Sequence, residues 1–418
     1  MVIFYSVKTE DATMETNLVN TLPTTPQVVG LDEGAGAVKI YTAQGATEFN
    51  SQIAHNGADA PGAVAGLESL APPLQIAFTG GTFYTGPGAH GWGRPVENLD
   101  FGRFAGSPEM AAVIYGAFTR HVETYGPLAA LRLKVGLPQQ ALAGDAGKEI
   151  IPGVKSWLTG AHQWTARNGH VPPAARAAAR EHLERFAQSS SKDDLVARAA
   201  QEGLTLVRYW NKAQMVDAML DNADLVVSFG GGALHTAYTL DVQDVQVTSQ
   251  PVGAWFDFLL DEAGGFLPAR KPLYAQEIGV ISIGMSTVEL LVVQQGKASP
   301  RFTRGETEGV QRLLALANPR NHYSRGEMDA RLRSGALNAE LPTLLPLWWP
   351  DINGLINQVW EHTWERFGAV VIVGGGAILL GDYLRRKFRE KAVIPDSPVL
   401  AVARGLYKFG VMQARQGK

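Results

Sequence analysis

The chain has no cysteine among its 418 residues. That excludes disulfides, thiolate metal sites and a cysteine nucleophile, and it fits a reducing cytoplasm. No apolar run approaches the roughly 18 residues that a membrane-spanning helix needs. The first residues, MVIFYSVKTEDATMETN, lack the basic region and the apolar core of a secretory signal. A cytoplasmic protein without direct membrane association is expected. The net charge is only −3, so no overall field would hold the molecule to a nucleic-acid backbone or an anionic bilayer. His162, His170 and His235 lie near glycines but lack a tight ligand spacing such as His-Glu-x-x-His. Metal binding by histidine is therefore set aside.

What is present is ordinary globular sequence, with 45% hydrophobic and 18% charged residues. At about 150 residues per domain the length accommodates two to three domains. Residues 1–26 are polar and rich in Thr, and read as an arm. QVVGLDEGAGAVKIYTAQG then has the grammar of a hairpin, and the glycine-rich segment that starts at LQIAFTGG reads as further hairpins and loops. Ser107 and Pro108 form an N-cap and first-turn pair, and Met110, Ile114, Phe118 and Val122 recur on one face, so a helix is expected over 108–125. LAALRLKVGLP is a buried strand stopped by Gly136 and Pro138. From 172 to 221 the composition shifts to Ala, Arg and Glu, which marks a helical insertion. VQDVQVTSQPVGAWFDFLLDEAGG reads as a strand, a turn and an amphipathic helix. Ile352, Leu355, Ile356, Val359, Trp360, Trp364 and Phe367 form a broad helical stripe. The chain closes on another helix in PVLAVARGLYKFGVMQAR.

Three glycine turns invite a phosphate reading. In the first, Asp32 ends a strand and Gly34, Gly36, Ala37 and Lys39 follow. A carboxylate there can hold a hydrated magnesium ion, while glycine amides approach phosphate oxygens without a Cβ in the way. In the second, GVISIGMSTVEL, Gly284, Ser286 and Thr287 offer amides and hydroxyls. In the third, Gly374, Gly375, Gly376 and Ala377 follow the strand VVIV and precede a helix, which suits a nucleotide against backbone and a helix N-terminus. Each turn alone is also readable as a plain structural turn, and SFGGGALH at 228–235 has the same grammar as the third.

Order joins them. Two strand–turn–strand hairpins, one opening each half, then strand–GGGA–helix, is the order of the superfamily of actin, heat-shock chaperones and sugar kinases. The chain further resembles the bacterial actin-like ParM/StbA plasmid-segregation family. The resemblance rests on GLDEGAGAVKIY, FTGGTFYTGPGA with RPVENLDFGRF, KVGLP, VKSWLTGAHQWTARNG, QVTSQPVGAWFDFLLDEAG, ISIGMSTVEL, VVIVGGGA and ARGLYKFG, and spans about 27–412 without the insertion.

This resemblance implies an α/β, actin-like fold: a duplicated ribonuclease H-like, two-lobed architecture with a nucleotide cleft between the lobes. Lobe I would cover 27–274, lobe II 275–398, and a C-terminal helix, 399–418, would return to lobe I. ATP or ADP with Mg2+ would occupy the cleft, with Asp32 organising the metal. Gln250 would position the attacking water, because an amide can accept one water proton and donate elsewhere. The family's second loop usually opens with aspartate, and here Ser282 stands there without charge. Binding is expected to survive and hydrolysis to slow. The resemblance further implies self-assembly into filaments, with plasmid DNA reached indirectly through an adaptor protein. A small-molecule kinase of the superfamily would need an aspartate base where Gln250 stands. A chaperone would need a large β domain after the ATPase. A division-type scaffold would carry a membrane-targeting tail, for which KFGVMQARQGK is unsuited. Trp348 and Trp349 are read as core, with a subunit contact as the alternative.

Overall fold

The computed structural model describes residues 26–56, 73–97, 101–128, 130–167, 173–201 and 235–417, and between the last two stretches residues 204, 206–207, 210–220, 226 and 229. Residues 1–25 of the expected arm lie outside the described residues, as do most of SFGGGALH, His170 and the side chain of His235.

Ten strands make the first sheet: β1 (Gln27–Glu33), β2 (Ala37–Tyr41), β3 (Ala46–Asn50), β4 (Ile53–Asn56), β5 (Leu74–Phe78), β6 (Gly81–Thr85), β7 (Gly93–Pro95), β8 (Ala130–Leu137), β9 (Gly160–Arg167) and β10 (His235–Ser249). Their order is β3-β2-β1-β8-β10-β9-β5-β6-β4-β7. The second sheet holds β11 (Ile278–Ile283), β12 (Val288–Gln294), β13 (Lys297–Ala298), β14 (Arg304–Glu306), β15 (Ala369–Val373) and β16 (Ala392–Val393).

One topology occurs twice. β1 pairs antiparallel with β2 and parallel with β8, which pairs parallel with β10. β11 pairs antiparallel with β12 and parallel with β15, which pairs parallel with β16. Parallel neighbours require a crossover, and helices supply it in both halves. In the first the crossover helix is Pro108–Tyr125, where the Ser107 hydroxyl accepts the Met110 amide at 3.2 Å and Met110, Ile114 and Phe118 are buried. In the second it is Leu341–Trp360, which buries Trp348, Ile352, Ile356 and Trp360 completely. Each of those two indoles, carrying a donor into an apolar core, finds a carbonyl: Trp348 that of Glu308 at 3.1 Å, Trp360 that of Phe302 at 3.0 Å. Trp349 is partly buried against Tyr383.

Two helices, Gln250–Leu259 and Ala401–Arg415, hold the sheets together. Ala254, Phe258, Val402 and Leu406 share a core with Ile278, Val280 and Val371 of the second sheet. The C-terminal helix also lies so close to β1 that a Cβ on Gly30 would fall 1.9 Å from the Ala403 carbonyl oxygen. Asp257, buried, accepts from Arg404 Nε and Nη2 at 2.7 Å each and from the Lys408 ammonium at 2.8 Å. A buried carboxylate is tolerated where such paired donors compensate its lost hydration.

Three expectations need correction. The stripe 352–367 is not one helix: the helix ends at Trp360, Glu361 takes φ 46°, and Trp364 and Phe367 reach the same core from a short 3-10 turn and the residue after it. No turn separates β10 from the next helix, because Ser249 ends the strand and Gln250 begins the helix. The insertion is longer than 172–221. Its helices Pro173–Ser189, Lys192–Gln201 and Lys212–Leu220 close a separate core that also takes in Leu206, Val226 and Phe229.

Candidate functional site

Between the two sheets lies a cavity of about 460 Å3, within the range of small-ligand sites. The first glycine turn enters it with Asp32, Gly34, Ala35, Gly36, Ala37 and Lys39, the second with Ser282, Gly284, Met285, Ser286 and Thr287, the third with Gly374 and Gly375. The duplicated topology brings the first two together: each turn leaves the C-terminal end of a strand, β1 or β11, that pairs antiparallel with the next strand and in parallel with the crossover strand. The second turn is also tied to the helix Val310–Ala317, whose first amides are taken by its carbonyls, Val310 by Gly284 at 2.9 Å and Gln311 by Met285 at 2.8 Å. The third turn needs its first glycine. Gly374 sits at φ 90°, and a Cβ there would fall 2.3 Å from the Ile283 carbonyl oxygen.

Asp32 is 3% exposed and holds two partners. The Lys39 ammonium lies 3.1 Å from one oxygen, and the Gln250 amide nitrogen donates to the other at 2.7 Å. That bond takes up the Gln250 amide nitrogen, leaving the carbonyl oxygen as the side chain's acceptor, on a residue that lines the cavity. Strand register makes Lys39 the partner of Asp32 on β2 and Glu289 the partner of Ser282 on β12. The repeat therefore equates an Asp–Lys pair in one lobe with a Ser–Glu pair in the other.

Two further carboxyl groups surround this end. Burial, reinforced by the charge of Asp32, pushes Glu33 up to about 8, and neither of its oxygens has a hydrogen-bond partner among the described residues. Burial likewise pushes Glu289 up to about 8, against the lowering effect of the Gln139 amide that donates to it. Both are mostly protonated at neutral pH, so Asp32 and Lys39 dominate the local charge. The donor chemistry fits a hydrated magnesium ion: one carboxylate, the hydroxyls of Ser282, Ser286 and Thr287, and an amide oxygen. Such an ion keeps several waters and takes few direct protein ligands.

Of the residues expected from sequence, Gly376 and Ala377 are not on the cavity wall. Both are buried in the core beside β11, where a Cβ on Gly376 would lie 2.1 Å from Ile283 Cγ2. The rest converge: Asp32, Gly34, Gly36, Ala37, Lys39, Gln250, Ser282, Gly284, Ser286, Thr287, Gly374 and Gly375. Sequence reasoning missed the other end, where Glu48, Asp329, Arg333 and Asn338 line the wall beside the apolar Val310, Leu332, Leu341, Ile378 and Leu379. Glu289, the last position of the second loop, stands seven residues after Ser282, as Lys39 stands seven after Asp32. His162 has both ring nitrogens engaged, by the Tyr115 hydroxyl at 3.0 Å and the Leu158 carbonyl at 2.8 Å.

A repeated hairpin-and-crossover sheet, two helices between the copies and glycine turns meeting in one cleft define the actin-like, two-lobed α/β fold. Solved structures bear this out. The chain is similar to the actin-like protein Alp7A, with a TM-score of 0.62, 12% identity, and coverage of 94% of this chain and 98% of that one. The apo psk41 ParM protein matches with TM-score 0.57 and 10% identity over 94% and 99%. Ta0583, an archaeal actin homolog solved in complex with ADP, matches with TM-score 0.54 and 16% identity over 94% and 100%. No family model and no curated protein matches the sequence. Among the described residues, no helix is long and apolar enough to cross a membrane.

Proposed function

We propose that the chain is an actin-like ATPase that binds ATP with magnesium in the cleft and assembles head-to-tail into nucleotide-dependent filaments. The observation that carries this reading is the bond from Gln250 to Asp32, made on the wall of a cavity that three glycine turns enter. The turns would receive the phosphates, with Lys39 the nearest cation. The apolar end, from Val310 to Leu379, would receive the base.

In this reading Gln250 orients water. Its amide nitrogen is committed to Asp32, so its oxygen can accept one proton of a water aimed at the terminal phosphate, without acting as a strong base. Asp32 has two duties, aligning Gln250 and receiving the hydration shell of the metal. Bound magnesium would neutralise charge on the phosphates. Ser282 can bond to a metal-held water but adds no charge, so hydrolysis would be slow and ATP-bound subunits would persist.

Filament assembly is supported by the shared fold alone. Heterologous contacts that do not close generate filaments without any special motif. A role in segregating plasmid DNA through an adaptor, in the cytoplasm, follows from the family resemblance. The test is ATP-dependent pelleting with phosphate release, in the wild type and in Gln250→Ala. Binding kept with hydrolysis lost supports the assigned roles, and phosphorylation of an added sugar would replace them with a kinase reading.

A further inference from the structure

Across the cleft, one short stretch of the second lobe meets three segments of the first. The stretch is Ser324 and the helix Arg325–Arg333. Arg333 binds Glu48 at 2.6 Å and Asp329 at 2.8 Å, and Asn50 donates to Asp329 at 3.0 Å. Gln52 donates to the Gly326 carbonyl at 2.7 Å, His90 bonds the Ser324 hydroxyl at 2.9 Å, and Arg325 binds Glu97 through its backbone amide and its guanidinium. The seam spans the whole helix and is made almost wholly of polar pairs.

Its composition distinguishes it from the join that the two long helices make between the sheets. The paired helices 250–259 and 401–415 hold the sheets through a packed apolar core, whose separation would expose that surface to water. The seam has little apolar area to lose. Each of its bonds can be exchanged for a bond to water at a small net cost. Yet it is not loose. Asp329 is 5% exposed and Gln52 6% exposed, and the Cβ missing from Gly326 leaves the space into which the His90 ring fits, 2.4 Å from where that Cβ would stand. The inner members Glu48, Asp329 and Arg333 line the cavity itself, whereas Asn50, Gln52 and His90 do not.

We propose that this seam is a latch on the cleft: Glu48, Asn50, Gln52 and His90 of the first lobe grip the 324–333 segment, and the grip must open for a nucleotide to enter or leave. The inference rests on the cleft being a nucleotide site. It assigns control of exchange, as distinct from hydrolysis, to residues remote from the phosphate turns. Because opening precedes both entry and exit, weakening the latch speeds both and changes the equilibrium affinity much less.

The test uses Asn50→Ala/Gln52→Ala, neither of which lines the cavity, with a fluorescent N-methylanthraniloyl ATP and a chase of unlabelled ATP. Release should accelerate roughly tenfold or more, association should rise in parallel, and the dissociation constant should stay within about threefold. An unchanged release rate in a folded variant overturns the latch. Failure of the wild type to bind the analogue would instead refute the nucleotide reading, so the two failures are distinguishable. A second measurement covers the case in which the double variant does not fold. The chain contains no cysteine, so Gln52→Cys/Ser324→Cys can be bridged by a short dithiothreitol-cleavable thiol crosslinker. Bridged protein should neither load nor release nucleotide until reduced, and free exchange in the bridged state contradicts the latch.

Discussion

Asp32 and Gln250 stand 218 residues apart in the chain and are joined by a 2.7 Å hydrogen bond, the first at the end of β1, the second at the start of the helix that follows β10. Both strands flank β8 in parallel, so their ends align beside one another. Strand order thus sets the distance between a carboxylate and an amide that sequence leaves remote. The first prediction concerns this pair. Gln250→Ala removes the oxygen proposed to orient water but no proposed phosphate contact, so ATP affinity should change little and turnover should fall about a hundredfold or more. Single-turnover phosphate release beside a binding titration separates these outcomes.

Ser282→Asp places a charge at a buried position, 5% exposed in the wild type, in the cleft that Asp32 also lines. Without nucleotide the variant should melt several degrees lower, since an unpaired buried charge is costly. With magnesium and ATP it should gain more stability than the wild type does, and hydrolyse faster. Hydrolysis unchanged in this variant and also in Asp32→Ala would remove both residues from the mechanism.

Glu33 sets a pH dependence whose sign is fixed. Its folded carboxyl is raised from 4.5 to about 8 by burial and by Asp32, so between those values the folded chain holds a proton that the unfolded chain releases. The stabilisation is complete below about 4.5 and is lost as pH rises towards 8. Glu33→Gln keeps the shape without the titration. In metal-free buffer its melting temperature relative to wild type should rise steadily from pH 5 to pH 8, and a flat difference would show that Glu33 is ionised in the fold.

Gly374→Ala places a Cβ against the Ile283 carbonyl at a φ of 90°. The cost should be about 1–3 kcal/mol, read by denaturant unfolding. Nucleotide affinity should fall with it, because the third turn lines the cavity. By contrast Gly375→Ala meets nothing within 4 Å among the described residues and should leave stability nearly unaltered.

Local rules made the fold legible where they act over a few residues. Ser107 with Pro108 announced a helix whose observed span is Pro108–Tyr125, and the turns after Asp32 and Ser282 announced hairpins. Pro346 and Pro350 hid the first half of the helix 341–360, since proline inside a helix removes a hydrogen bond and normally argues for an end. Glu33 and Glu289 sit inside strands, where a polar residue reads as solvent-facing, and both are buried. The seam from Glu48 to Arg333 left no trace because pairing between residues 285 positions apart has no periodicity to detect. The phosphate end was read from its glycines, and the far end of the cavity, built from scattered Asp329, Asn338 and Ile378, carried no such marker.

Nucleotide-driven assembly is tested most directly by sedimentation of the purified chain with ATP and magnesium, with ADP, and without nucleotide, while released phosphate is followed in the same samples. Pelleting with ATP above a threshold concentration, persistence of the polymer because phosphate release is slow, and loss of the pellet in ADP are the expected results. A chain that stays in the supernatant under all three conditions at every concentration would contradict filament formation.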